Sequence, residues 1–160
     1  MTVTAPSQEQ PSEQPYAGTF VGTEHRFALR VYFEDTDLSG IVYHANYLRF
    51  MERARSDMLR AAGIDQRATM DAGEGYYAVH DLNIVYRRPA KLEDALLVRS
   101  RVIGVRAAAC EIAQDIWRGD ILLTEGRVTA AFLGTDGRPK RQPREWRETF
   151  ERLTTGQEAK

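Results

Sequence analysis

Within residues 31–55 two aspartates, Asp35 and Asp37, are followed by Gly40, Tyr43, His44, Asn46 and Glu52. The pattern reads as a strand delivering an aspartate, a glycine turn, and a long helix whose first turn faces that aspartate. A carboxylate beside free backbone N–H groups at a helix N-terminus can attack, or take a proton, next to a polarised carbonyl. That is the minimum equipment for hydrolysing an acyl ester. Each residue also has a plainer reading. Asp ahead of Gly is a common turn pair. Asn46 suits a helix cap, and Gly40 suits a positive φ or a close approach to a ligand.

The elements that must position these residues follow from periodicity. Phe27, Leu29, Val31 and Phe33 alternate with Arg26, Ala28, Arg30 and Tyr32, the pattern of a half-buried strand. Tyr47, Met51, Ala54, Met58, Ala61 and Ala62 repeat at helical spacing, so a helix is expected over 45–62, about 27 Å long and stopped at Gly63. Residues 63–75 hold three glycines and read as a loop. Strands are expected at 76–88, 96–105, 109–118 and 121–133, the last two joined through Gly119-Asp120. Their short connections suggest a meander. Pro143 opens a short terminal helix carrying Trp146, Phe150 and Leu153. These elements make an α+β domain, a five-stranded antiparallel sheet curled round one long helix. The free sheet edges invite a second copy, so a homodimer or homotetramer is expected.

Composition narrows the class. Twenty-two basic residues face 23 acidic ones, with a pI near 6.3, so no excess positive charge points to nucleic acid. Residues 1–23, rich in Pro, Ser, Gln, Thr and Gly, are expected not to pack, leaving one domain over 24–153 and a flexible tail at 154–160. No apolar run approaches membrane-spanning length, so no membrane insertion is expected. The N-terminus lacks the pattern of a secretory signal and Cys110 stands alone, which together suggest the cytoplasm. Cys110 reads as a small core residue. His25 and His80 have no partner at ligand spacing, so no metal is expected.

The run Glu34-Asp-Thr-Asp-Leu-Ser-Gly-Ile-Val-Tyr-His-Ala-Asn-Tyr-Leu-Arg-Phe-Met-Glu-Arg-Ala-Arg55, with Tyr86-Arg-Arg-Pro-Ala-Lys-Leu-Glu-Asp94, resembles the 4-hydroxybenzoyl-CoA thioesterase-like hotdog family. Within it the most similar branch is that of the acyl-CoA thioesterases associated with the bacterial Tol–Pal system. The resemblance covers about residues 26–143 and implies a hotdog fold, an acyl-CoA substrate and no cofactor. It makes Asp37 the catalytic carboxylate, as nucleophile or general base, and leaves Asp35 to brace the turn. It has the backbone N–H of His44 polarise the thioester carbonyl, while the imidazole tunes Asp37 or touches substrate. Ile41, Val42 and Tyr43 would shape the acyl pocket with Gly40, and Asn46 is a site residue if it is not a cap. Glu52, eight residues after His44, matches a helix carboxylate that is catalytic in a second hotdog subclass. An ion pair with Arg55 or a strand arginine is its more frequent fate. A CoA thioester carries phosphates, which suits Arg87, Arg88 and Lys91 in one cluster and Arg138, Lys140 and Arg141 in another. Alternatives are an acyl carrier protein as thiol carrier, or a binding or scaffold role at the envelope or in lipid synthesis.

Overall fold

In a computed structural model that describes residues 13–156, nine regular elements follow one another. They are β1 (Thr19–Val21), β2 (Glu24–Arg30), α1 (Asn46–Ala61), α2 (Gln66–Asp71), β3 (Tyr76–Tyr86), β4 (Ala95–Val105), β5 (Ala109–Arg118), β6 (Ile121–Leu133) and α3 (Arg144–Thr155). All strand pairs are antiparallel, in the order β1-β2-β4-β5-β6-β3. The sheet curls round α1, the hotdog arrangement the resemblance implied.

Burial explains why α1 lies where it does. Its inward residues Tyr47, Phe50, Met51 and Ala54 are at most 2 % exposed and pack on Val98, Ile116, Leu123 and Val128 of the sheet. Truncating Phe50 to alanine would leave a void here and cost about 3–5 kcal/mol. Between Met51 of the helix and the neighbouring strand β5 there is no room for a side chain at Gly126 of β6. A Cβ at Gly126 would lie 2.6 Å from Met51 Cε and 2.8 Å from the Gln114 carbonyl. Beside this contact the buried Arg55 guanidinium donates to Gln114 Oε1 at 2.7 Å, and the Gln114 amide donates to Ser100 Oγ and the Met51 carbonyl. Helix and sheet are thus joined by a satisfied polar network inside an apolar layer.

A second cluster, Met58, Leu59, Ile64, Val102, Cys110, Ile112 and Phe150, is closed by α3 and by Phe20, Tyr77, Trp146 and Leu153. Buried Gln142 leads the chain into α3: it accepts from the Tyr77 hydroxyl and donates to the carbonyls of Arg106 and Ala109. Burial pushes the Cys110 thiol up to about 12, so it behaves as a core residue.

Several expectations need correction. The sheet has six strands, because Thr19–Val21 pairs with β2 inside the segment expected not to pack. The Tyr16 ring meets Phe27 edge-on and the Gly18 N–H donates to Asp57, so the ordered chain begins before residue 24. Residues 1–12 and 157–160 lie outside the described residues. Strand β3 pairs with β6 at the sheet edge and is no neighbour of β4, so only β4, β5 and β6 form a meander. Phe33 leaves the strand for a single 3-10 turn and is 81 % exposed. The expected loop at 63–75 contains α2, capped by Asp65, whose carboxylate accepts from the Ala68 N–H. The long helix, Gly63 beyond it at φ +85°, and the Gly119-Asp120 turn lie where periodicity put them.

Candidate active site

The chain leaves β2 through buried Val31 and enters a tightly braced loop. Asp35, 3 % exposed, uses one carboxylate oxygen to accept from the Tyr32 N–H and the other to accept from the Asn46 amide. Its carbonyl accepts from the Tyr43 N–H at 2.9 Å. One residue therefore fastens both ends of the 36–45 loop to the first turn of α1. Asn46 is spent on this brace and is not the cap. Ala45 holds the cap position and offers no side-chain acceptor. Among the described residues, the N–H groups of His44 and Ala45 find no acceptor. Free donors of this kind at a helix start are what a developing oxyanion needs.

Asp37 sits on the tip held by that brace. Its N–H donates to the Ile41 carbonyl and its carbonyl accepts from the Gly40 N–H, closing a turn that Gly40 completes at φ +81°. Nothing of the protein lies within 4 Å of a Cβ built on Gly40, so the turn, and no close approach within the chain, is what calls for glycine. The Asp37 carboxylate is exposed. One oxygen accepts from the Ser39 hydroxyl and the Ser39 N–H, and the other has no partner among the described residues. The Ser39 hydroxyl, then its N–H, then the nearby His44 hold this carboxyl below the usual aspartate range. Asp37 is therefore an ionised carboxylate with a free oxygen in the neighbourhood of His44.

Ile41, Val42, His44, Tyr47, Tyr86, Arg87, Arg88 and Pro89 line an open groove of about 330 Å³. Its floor is the connection from β3 to β4: the Val42 N–H donates to the Ala90 carbonyl, and the Ala90 N–H to the Tyr47 hydroxyl, both at 2.9 Å. Val42 is buried in this floor, whereas Tyr43 is exposed and rests its ring on His44, centroids 4.5 Å apart. Tyr86 donates to the His44 carbonyl at 2.7 Å and so fixes the peptide next to the free N–H groups. Sequence reasoning passed over Tyr86 and Tyr47. The Tyr86-Arg-Arg-Pro run was the available signal for the first, and nothing local distinguished the second from a core aromatic.

The remaining candidates divide. Arg87 is engaged with Glu125 at 2.7 Å, while among the described residues the Arg88 guanidinium and Lys91 ammonium make no side-chain hydrogen bond or close ion pair, Lys91 feeling Asp94 only through space. Lys91 pairs with Ile41 through a backbone bridge, which keeps it beside the groove. Arg138, Lys140 and Arg141 follow β6 at the opposite end of β3, where Leu133 faces Tyr76 and Lys140 donates to the Glu74 carbonyl. Ten residues of strand separate Tyr76 from Tyr86, about 33 Å. One chain does not bring the two cationic clusters together. Glu52 is 61 % exposed and ion-paired with Arg55, the structural role weighed for it. It borders a different cavity of about 70 Å³, with Leu59, Val79, Ile112 and Phe150. Among the described residues no three His, Cys, Asp or Glu side chains converge as a metal site requires.

The sequence matches the Thioesterase superfamily over residues 39–125, more than half of its length. The chain belongs to the Thioesterase superfamily. The matched span holds the glycine turn, α1 and the groove, and begins two residues after Asp37. Two curated superfamily relatives are the acyl-CoA thioesterase YbgC of Haemophilus influenzae and the acyl-CoA thioester hydrolase YbgC of Escherichia coli. The first is 36 % identical over 128 residues, 79 % of this chain and 94 % of the relative. The second is 38 % identical over 107 residues, 66 % and 79 % of the two. A probable thioesterase from Bartonella henselae superposes with a TM-score of 0.71 at 34 % identity, covering 75 % of this chain and 99 % of that one. The superfamily assignment agrees with the resemblance read from residues 34–55. Among the described residues no helix is long and apolar enough to cross a membrane.

Proposed function

We propose that this chain is an acyl-CoA thioester hydrolase working in the cytoplasm, with Asp37 as its reactive carboxylate. The observation that carries the reading is the pairing of an ionised, half-free Asp37 carboxylate with unsatisfied N–H groups at His44 and Ala45. A thioester carbonyl set against those N–H groups would have its carbon opened to attack from the Asp37 side. Asp37 either takes a proton from water as the water oxygen adds to that carbon, or adds its own oxygen to form an anhydride that water then cleaves. In both courses the C–S bond breaks, the thiolate leaves and is protonated, and the acyl group departs as a free acid. The His44 imidazole lies alongside as a weaker electrostatic partner of Asp37, and Ile41 and Val42 form the apolar wall for the acyl carbons. Arg88 and Lys91 are the cations free to meet CoA phosphates.

The second cationic cluster fits the same reading if two copies pair. Strand β3 leaves one edge of 11 residues open, with Tyr76, Val79, Val85 and Tyr86 exposed along it. Such an edge is a template for a second strand. Antiparallel pairing about its middle would set Arg87, Arg88 and Lys91 of one copy beside Arg138, Lys140 and Arg141 of the other. A homodimer, alone or within a tetramer, would then hold one CoA between two chains.

The test is free-thiol release from acyl-CoAs of graded chain length and one aromatic thioester, with wild type and Asp37→Asn. Turnover in the wild type that is lost in the folded variant supports the reading. Unchanged turnover in the variant would move the chemistry to Glu52 or His44. Turnover on acyl carrier protein thioesters alone would replace CoA as the thiol carrier.

A further inference from the structure

A buried ionisable pair lies away from the groove and takes no part in the chemistry above. His25, with no exposed surface, points inward from β2 at the place where β1, β2, β4 and α1 meet. Its Nε2 lies 2.8 Å from Asp57 Oδ2 on α1, and that same oxygen accepts the Gly18 N–H at 2.9 Å. One carboxylate oxygen therefore binds the helix to β2 and to the segment leading into β1. Gly18 fits there because it has no side chain: a Cβ would lie 2.9 Å from Asp57 Oδ2 and 3.0 Å from His25 Cε1. Phe20, the register partner of His25, covers the imidazole with ring centroids 5.3 Å apart. The other ring nitrogen, Nδ1, is buried and has no hydrogen-bond partner among the described residues.

The groups around the ring leave it a single charged neighbour. Strand β1 contributes Thr19, Phe20 and Val21, none of them ionisable. Opposite His25 on β4 stands Ser100, and α3 brings apolar Phe150 and Leu153 to the adjoining cluster. Glu24, Arg26 and Arg99 pair with one another on the other face of the sheet. From α1 come Asp57 and, 3.6 Å from its second oxygen, the exposed Arg60. With Nε2–H donating to Asp57, the neutral ring leaves only an acceptor lone pair unpaired at Nδ1. A second proton would place an N–H donor in dry surroundings without an acceptor.

We propose that His25 and Asp57 form a proton-operated latch that holds β1 and the residues leading into it, and that protonating His25 releases this segment while the rest of the fold stays closed. The easiest way to hydrate Nδ1 is to lift its cover. That cover is a three-residue edge strand hydrogen-bonded to β2 alone, whereas β2 is a seven-residue strand paired on its other side with β4. Desolvation, outweighing the attraction of Asp57, holds the imidazole below the usual histidine range in the closed state. The sign follows from linkage. A group that binds its proton more weakly when closed than when open stabilises the closed form fully above its ordinary pKa, and loses that contribution as pH falls.

Amide hydrogen exchange on the full chain, corrected for intrinsic rates, tests this between about pH 7.5 and about pH 5, the interval in which histidine titrates. In the wild type the Gly18 amide and those of β1 should lose roughly ten-fold or more of their protection across the interval, while the Val98, Ile116 and Leu123 amides keep theirs. In His25→Gln, which retains a donor for Asp57 but cannot be protonated, the profile should be flat. A flat profile in the wild type overturns the latch, as does an unaltered pH response in His25→Gln. A parallel loss in the core amides overturns it too, since the event would then be global unfolding. Should the variant fail to fold, the His25 ring followed by NMR in the wild type decides. Proton uptake in step with the loss of β1 protection supports the latch, and proton uptake with β1 still protected overturns it.

Discussion

Asp35 and Asp37 stand two residues apart and have opposite fates. Asp35 is buried, and both its oxygens are committed to the Tyr32 N–H and the Asn46 amide. Asp37 is exposed, and one of its oxygens is uncommitted. The first is a brace and the second is available for chemistry, although the sequence presents them as near equals. Burial and hydrogen bonding, and not residue type, divide the work. The brace also anchors the 36–45 loop, which carries both the Asp37 carboxylate and the free N–H groups of His44 and Ala45.

The comparison breaks most sharply at Asp37. Asp37→Asn should lower thiol release from acyl-CoA by a factor on the order of 10²–10⁴, with a melting temperature close to that of the wild type. An equal loss of stability would mean that Asp37 braces the loop as Asp35 does. Asp35→Ala strands the buried Asn46 amide and the part-buried Tyr32 N–H and should cost about 2–3 kcal/mol in urea unfolding, with activity following the loss of fold. A neutral result there would dissolve the distinction from the other side. Further along the groove, Arg88→Ala should raise KM for acyl-CoA by roughly five- to ten-fold, with a weakened dependence on ionic strength. Arg87→Ala should do less, since Glu125 already competes for that guanidinium. The mildest change is Ser39→Ala. In the proposed reaction ionised Asp37 is the working form, so kcat/KM should fall as pH drops through its depressed pKa. Without the Ser39 hydroxyl that pKa rises, and the acid limb of the pH–rate profile should move to higher pH while the plateau is retained.

Local patterns were legible and pairing was not. The helical stripe from Tyr47 to Met58 placed α1 to within a residue, because an amphipathic face records its burial directly in sequence. The strand limits at 109–118 and 121–133 were recovered for the same reason, helped by the Gly119-Asp120 turn. Short connections suggested that β3 lies beside β4, yet the curl of the sheet lets eight residues cross from Tyr86 to Ala95 beneath the start of α1. Such a crossing leaves no mark in periodicity. Strand β1 is too short, at three residues, to show alternation, and α2 lies between glycines that mask the capping signal of Asp65. At the site, the turn and its glycine were readable. Asn46 turned out to serve Asp35 and not the helix end, a contact set by the path of the loop. The two cationic clusters gave no sign of standing at opposite ends of one strand.

The missing side chain at Gly126 has a consequence at a distance. Met51 rests where a methyl group on β6 would be, so the middle of α1 settles onto the sheet as a beam settles onto a low support. A beam lowered at its centre carries its ends down with it. One end bears Asn46, and through Asp35 the whole Asp37 loop. A methyl at 126 would meet the Gln114 backbone carbonyl as well as the mobile end of Met51, so what reaches that end depends on how far the Met51 side chain swings aside. The seat of the helix that carries the Asp37 loop thus depends partly on a buried residue with no side chain.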